Sequence, residues 1–246
     1  KDFNDDMSNF IHGIKLEGNF ENSTLHSDDI AFFAPGLKTW NRILIFNGQA
    51  KGTIDNLSGK KMVIKSGNTL VDGDITLRGL PDIDNTFIDF KGNEVRTNYS
   101  DLVTLVPYLK TIRQPQLNQL GNIRFKGSFT GFINDFVTYG NINTSLGNLN
   151  ADLNMKLRDN QVPTYSGKIS SAGFDLGRFF NNNELGRVAL NGQVKGRGFN
   201  VKDLNADFDG TIHQLQFSGY NCRNITLNGT FIKNFLHVLL SLFIIK

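Results

Sequence analysis

The feature that most constrains this chain is a recurring block in which apolar residues and glycines share one parity. It reads Leu44, Phe46, Gly48, Ala50, Gly52. It recurs as Ile123, Phe125, Gly127, Phe129, Gly131 and again as Val188, Leu190, Gly192, Val194, Gly196. A partial copy is Ile225, Leu227, Gly229, Phe231. Successive side chains of a strand point to opposite faces, so this period of two marks strands with one apolar face. The glycines fall on the apolar side. Glycine weakens a strand but permits bending or the close approach of another group. Gly48, Gly52, Gly127, Gly131, Gly192 and Gly196 are therefore candidates for curving a sheet around its apolar side. The alternative is that they are bulge or turn glycines of an ordinary sandwich.

A second block recurs at longer range. Ser27-Asp28-Asp29-Ile30-Ala31-Phe32-Phe33-Ala34-Pro35 has its echo in Ser100-Asp101-Leu102-Val103-Thr104-Leu105-Val106-Pro107. A weaker echo is Phe174-Asp175-Leu176-Gly177-Arg178-Phe179-Phe180. Each places a capping-type residue before apolar positions at helical spacing, and proline stops the first two. The acids Asp29, Asp101 and Asp175 lie 72 and 74 residues apart. A β-repeat region over 1–231 then divides into units of roughly 27–98, 99–172 and 173–231, each a short helix followed by strands. Repeats of this kind stack in line, each touching its neighbours.

Other strands fill the units. Residues 151–158 alternate cleanly, with Ala151, Leu153, Met155 and Leu157 on one side and Asp152, Asn154, Lys156 and Arg158 on the other. Gly73–Leu77 and Leu215–Phe217 behave similarly. One wet face favours an antiparallel or solenoid-like sheet. The fold expected is all-β with a few short helices: an elongated repeat sheet curled into a taco-like or solenoid groove with an apolar interior. The tail, 232–246, abandons alternation for a nearly continuous apolar run, Phe235 to Ile245. It reads as a fully buried strand or helix, or as an artefact of where the sequence ends.

Composition agrees with many strands and tight turns, at 25 Gly and 5 Pro, and 21 Phe demand an apolar setting. With 26 basic and 23 acidic residues scattered along the chain, there is no nucleic-acid footprint. The single Cys222 permits no disulfide framework or cysteine-rich metal site within the chain. His12, His26, His213 and His237 hold no pair at helical spacing. Asp28-Asp29 suits the first turn of a helix, where acids complement the helix dipole, better than acid–base chemistry. Asp72-Gly73-Asp74 and Asp82-Ile83-Asp84 lack the spacing of a calcium loop. Gly196-Arg197-Gly198 lacks the third glycine of a dinucleotide loop. No catalytic constellation appears, so the chain is expected to be non-enzymatic, with no cofactor and no metal.

The apolar face is itself the candidate site. Its members are Phe46, Ile54, Ile75, Leu77, Phe125, Phe129, Ile133, Leu153, Met155, Leu190, Val194, Phe217 and Leu227. If two sheets close on each other, these residues are plain core. If a single sheet curls, they line an open trough that acyl chains can enter. Periodicity alone slightly favours the closed core.

The repeats resemble the TamB/AsmA family of bacterial envelope proteins, in versions like those of Bacteroidetes. The resemblance rests on Ser100-Asp101-Leu102 through Pro107-Tyr108-Leu109, and on Leu120-Gly121-Asn122-Ile123-Arg124-Phe125-Lys126-Gly127-Ser128-Phe129-Thr130-Gly131. The run from Leu185 to Phe199 is similar to the same repeats, and the likeness covers about 20–231 without the tail. It implies a periplasmic β-groove anchored in the inner membrane by a segment outside this sequence. It implies phospholipid acyl chains as cargo and roles in phospholipid transport and outer-membrane protein assembly, with an Omp85-type barrel as partner in some cases. The runner-up is a structural or adhesive cell-surface β-solenoid.

Overall fold

The structure is a computed structural model and describes residues 10–31, 41–105, 107–157, 161–199, 204–232 and 235–241. Those residues are all-β with a few short helices. After α1 (Phe10–Gly13) and β1 (Leu16–His26) comes α2 (Ser27–Ala31), followed by β2 (Ile43–Thr53), β3 (Asn56–Ser66), β4 (Thr69–Arg78) and β5 (Phe87–Asn98). Helix α3 (Tyr99–Leu105) and two short 3-10 turns lead to β6 (Asn122–Phe132), β7 (Asp135–Thr144), β8 (Gly147–Lys156) and β9 (Thr164–Asp175). Helix α4 (Leu176–Phe180) then precedes β10 (Leu185–Arg197), β11 (Asn205–Phe217), β12 (Tyr220–Ile232) and β13 (Phe235–Ser241). The period is thus one short helix and four strands, restarting at Ser27, Tyr99 and Leu176. Residues 32–40, which include Phe32, Phe33 and Pro35 of the first helix signature, lie outside the described residues, as do Arg158 and 242–246.

Local chemistry explains the helix starts. The Ser27 N–H donates to the Arg42 carbonyl at 2.8 Å, and the Arg42 N–H donates to Ser27 Oγ at 2.9 Å. This pair staples the chain on either side of 32–40, and Ser27 is fully buried. At α3 the cap is Asn98, whose Oδ1 accepts the Asp101 N–H at 2.9 Å. At α4 it is Asp175, whose Oδ1 accepts the Arg178 N–H at 2.9 Å.

The chain divides into two units, one of residues 1–97 and 126–136, the other of 98–125 and 137–246, so β6 and β7 are each shared between them. In the first unit β1 to β5 pair antiparallel in chain order. In the second β8 to β13 do the same. Neither ladder pairs its last strand with its first. The tail contributes β13, which pairs with β12 from Thr226↔Ser241 to Ile232↔Phe235.

Bulges keep the register in phase. Lys61, at φ +50°, is an extra residue where Asn47 pairs with Val63 but Gln49 with Lys60. The Lys61 N–H donates to Asp74 Oδ1 at 2.8 Å, and Lys60 Nζ meets Asp74 Oδ2 at 3.0 Å. These bonds hold the Asp74 carboxyl below its ordinary range, the backbone bond contributing most.

Two glycine pairs face each other across strands on the apolar side, Gly73 with Gly92 and Gly192 with Gly210. A Cβ on Gly210 would meet the Asn191 carbonyl and the Gly192 Cα, both backbone atoms that cannot turn aside. Gly210→Val is expected to lower stability by about 1–3 kcal/mol through overpacking. Urea unfolding followed by circular dichroism checks this; an unchanged midpoint would show that the strands have room to spread.

Candidate functional site: an uncharged sheet face

In an antiparallel ladder, paired residues point to the same side. The register of the first unit therefore collects Leu16, Phe20, Leu25, Leu44, Phe46, Ala50, Leu57, Met62, Ile64, Val71, Ile75, Leu77, Ile88, Phe90 and Val95 on one face. The remaining paired positions on that face are glycine, serine or threonine, and none is charged. The other face carries the charges. There Lys51 pairs with Glu17 at 3.1 Å and Lys60 with Asp74 at 3.0 Å. Asn93 Nδ2 donates to Asp72 at 3.1 Å on the same side.

The second unit repeats the arrangement. Ala151, Leu153, Met155, Tyr165, Ile169, Phe174, Val188, Leu190, Val194, Ala206, Phe208, Ile212, Leu215, Cys222, Ile225 and Leu227 share one face with Gly167, Gly192, Gly196, Gly210 and Gly229. Its opposite face bears Asp152, Lys156, Lys168, Lys195, Arg197, Asp207 and Asp209.

The register gives each candidate residue read from sequence a place. Phe46, Ile75, Leu77, Leu153, Met155, Leu190, Val194 and Leu227 lie on the uncharged faces by register. Phe125 lies between charged Arg124 and Lys126 along β6 and Phe129 between Ser128 and Thr130, and Phe129 stacks on Phe136 at 4.5 Å. Ile54 and Ile133 instead occupy the turns after β2 and β6. They stand in equivalent places, two residues after Gly52 and Gly131. These glycines adopt φ +133° and +135°. A Cβ on either would strike the carbonyl across the hairpin, of Asn56 or Asp135. Gly48 also has positive φ, at +127°, opposite the Lys61 bulge, Gly127 at φ +159° is close to fully extended, and Gly192 and Gly196 are plain strand residues. Phe217 is on the apolar side by its pairing with Leu185 and Tyr220, but it ends its strand and is 45% exposed.

Packing is uneven along these strands. In the second unit Leu146, Phe174, Val188, Ile212 and Leu227 form a buried cluster, against which Leu120, Leu176 and Phe179 pack. Phe179 meets Phe174 edge-on at 5.3 Å. Helix α4 is tied to the 3-10 turn Leu117–Leu120 by Gln116 N–H to the Phe179 carbonyl at 2.7 Å and Arg178 Nη2 to Gln119 Oε1 at 3.0 Å. The helical segments thus plug one end of the face. Beyond the plug, Leu153, Met155, Val194 and Phe208 are only half-buried, and so are Phe46, Ile64, Val71, Ile75 and Leu77 in the first unit. Within each unit the strands make one layer, and among the described residues no second sheet lies over it.

The polar groups are arranged for structure. Asp55, in the turn holding Ile54, accepts from Thr53 and bonds His12 Nδ1 at 2.8 Å, which docks α1 on that turn. These hydrogen bonds hold the Asp55 carboxyl below its ordinary range, Thr53 contributing most. Burial pushes the Tyr165 phenol up, and its ring stacks on Phe199 at 5.6 Å. Among the described residues no three His, Cys, Asp or Glu side chains come together as a metal site. No described helix is long and apolar enough to cross a membrane.

Comparison with protein-family models, with curated proteins and with solved structures finds no match to this chain. The class defined by the geometry is an all-β antiparallel sheet with a few short helices, one face of which bears no charge at the paired positions of either unit and ranges from buried to half-buried.

Two valines on the same strand and face test that cover. Val188 is buried at 3% exposure and Val194 is half-buried. Val188→Thr is expected to cost about 1–3 kcal/mol for an enclosed hydroxyl, and Val194→Thr less than about 1 kcal/mol. Equal losses in urea unfolding would mean that Val194 is enclosed as well.

Proposed function

We propose that the two uncharged faces belong to a taco-like or solenoid groove whose apolar interior carries phospholipid acyl chains. The chain would then be a periplasmic segment of an envelope protein anchored in the inner membrane, serving phospholipid transport and outer-membrane biogenesis. An Omp85-type barrel would be its partner at the outer membrane. The observation that carries this reading is an apolar face without a single charge among the described paired positions, only half-buried beyond the helical plug. Such a surface offers no hydrogen-bonding pattern to a polar ligand, while each buried CH2 contributes ~0.8 kcal/mol. Several methylenes of one acyl chain laid along it gain enough to hold a lipid without fixing its position, as a conduit requires. The TamB/AsmA-like repeats point to the same occupant.

A second reading, a structural or adhesive β-solenoid acting through its outer face, has one observation in its favour. Asn150, Ser170, Asn191, Thr211 and Thr226 align across five strands on the polar side. Asn141 Nδ2 donates to Asn150 and Asn150 Nδ2 to Ser170, at 2.8 and 3.3 Å, extending this uncharged polar row.

Photocrosslinking separates the two. A benzophenone residue at Ile64 or Val194 is expected to label phospholipid, and one at neighbouring Lys65 or Gln193, on the opposite face, is not. Folded protein that labels at neither face would sink the conduit and favour the outer-face reading.

A further inference from the structure

The strand ends farthest from α4 carry a cluster that the apolar face does not use. The register sets Lys156, Thr164, Arg197 and Asn205 in one row across β8 to β11, and Asn154, Ser166, Lys195 and Asp207 in the next. These residues, with Tyr165 and Gly196, line an open-sided cavity of about 410 Å³. That is the size of a small-ligand site.

Its chemistry is that of an anion site. Three cations face one acid. Asp207, opposite Lys195 in register, accepts on Oδ1 from Thr230 Oγ1 at 2.6 Å on β12. Neither Lys195 nor Arg197 has an ion pair among the described residues, although both sit within reach of carboxylates on neighbouring strands. Strands lie ~4.8 Å apart and same-face neighbours ~6.8 Å apart, so all three cationic Cα atoms fall within about 12 Å. Long Lys and Arg side chains converge easily over that span. Thr164, Ser166, Asn154 and Asn205 add neutral donors between them. Arg forks onto paired oxygens while Lys supplies point charge, the combination that recognises a phosphate group.

We propose that this cavity binds the phosphate group of a ligand, either a lipid headgroup or a free phosphate. Thr164 and Arg197 are the terminal residues of their strands, so the cavity opens at the rim of the sheet. A headgroup held there would lie at the edge of the face that bears Met155 and Val194. The phosphate site itself does not depend on the apolar face carrying lipid.

The test is a nuclear magnetic resonance titration of the isotopically labelled 246-residue chain with inorganic phosphate and, separately, with short-chain phosphatidate below its micelle concentration. The amides of residues 164–166 and 195–197 are expected to shift, and Lys195→Gln with Arg197→Gln to weaken binding about tenfold or more. Lys51→Gln, on the polar face of the other unit, is expected to change nothing. Circular dichroism of each variant establishes that it is folded. Saturation by inorganic phosphate identifies a general phosphate site, and saturation by phosphatidate alone identifies a headgroup site. Absence of local shifts with both probes, or binding that the Lys195/Arg197 double variant leaves unchanged, would overturn the proposal.

Discussion

Everything in this structure depends on strand register. In an antiparallel sheet a slip of one residue carries every side chain to the opposite face. Here such a slip would put lysines among the phenylalanines. The chain avoids this with bulges that absorb an extra residue and restore the phase. Glu21 and Asn22 together oppose Asn47, with Asn22 at φ +47°, and Lys61 is extra in β3 at φ +50°. His213 plays the same part between Ile212 and Gln214 in β11. The bulged residues are polar and project away from the uncharged side. Where the bulge is deepest, at Lys60–Lys61, the Asp74 carboxylate fastens it from the next strand.

Once register is set, the separation of chemistry follows. One side holds alkyl and phenyl groups with glycines between them, and the other holds ion pairs and amide rows. The exposed pairs add little stability on their own. Their larger effect is to make the wrong register costly, since each would have to bury a charge without a partner. The short helices complete the arrangement. In the second unit α4 and the preceding 3-10 turn press Leu176, Phe179 and Leu120 onto the end of the apolar face, and there the buried cluster forms. The far ends of the same strands carry the cationic cavity. A single layer of strands therefore presents a plugged end, a half-buried apolar middle and a rim bearing the cationic cavity.

Much of this is legible in the sequence, and the exceptions have a common cause. The alternation of β2, β8 and β10 is unbroken enough to assign Phe46, Leu153, Met155, Leu190 and Val194 to one face by counting alone. The third helix start is legible because Asp175 is a side chain that caps, whereas the second signature begins at Ser100 and the observed cap is Asn98, two residues earlier. Counting fails at bulges. Met62 and Ile64 are out of phase with Leu57 and Gly59 until Lys61 is removed from the count, and Ile212 and Leu215 show the same break. Both pairs were invisible to a strict period of two, as were Phe90 and Val95 across the extra Asn93. Ile54 and Ile133 err in the other direction. They continue the apolar rhythm past Gly52 and Gly131, where the chain has already begun to turn. The cationic cavity was beyond reach of the sequence because Lys156, Lys195 and Arg197 meet only through the pairing of β8, β9 and β10.

The function proposed for the uncharged face requires that no protein cover it beyond the helical plug. Spin labels at positions 188, 193 and 194 of β10, introduced singly into delipidated protein, test it most directly through their collision rate with a water-soluble nickel complex. Position 188 should be shielded, and position 194 should approach the accessibility of position 193 on the polar side. A label at 194 as shielded as the one at 188 would mean that the face is closed by protein, and the account of an open apolar surface would fail.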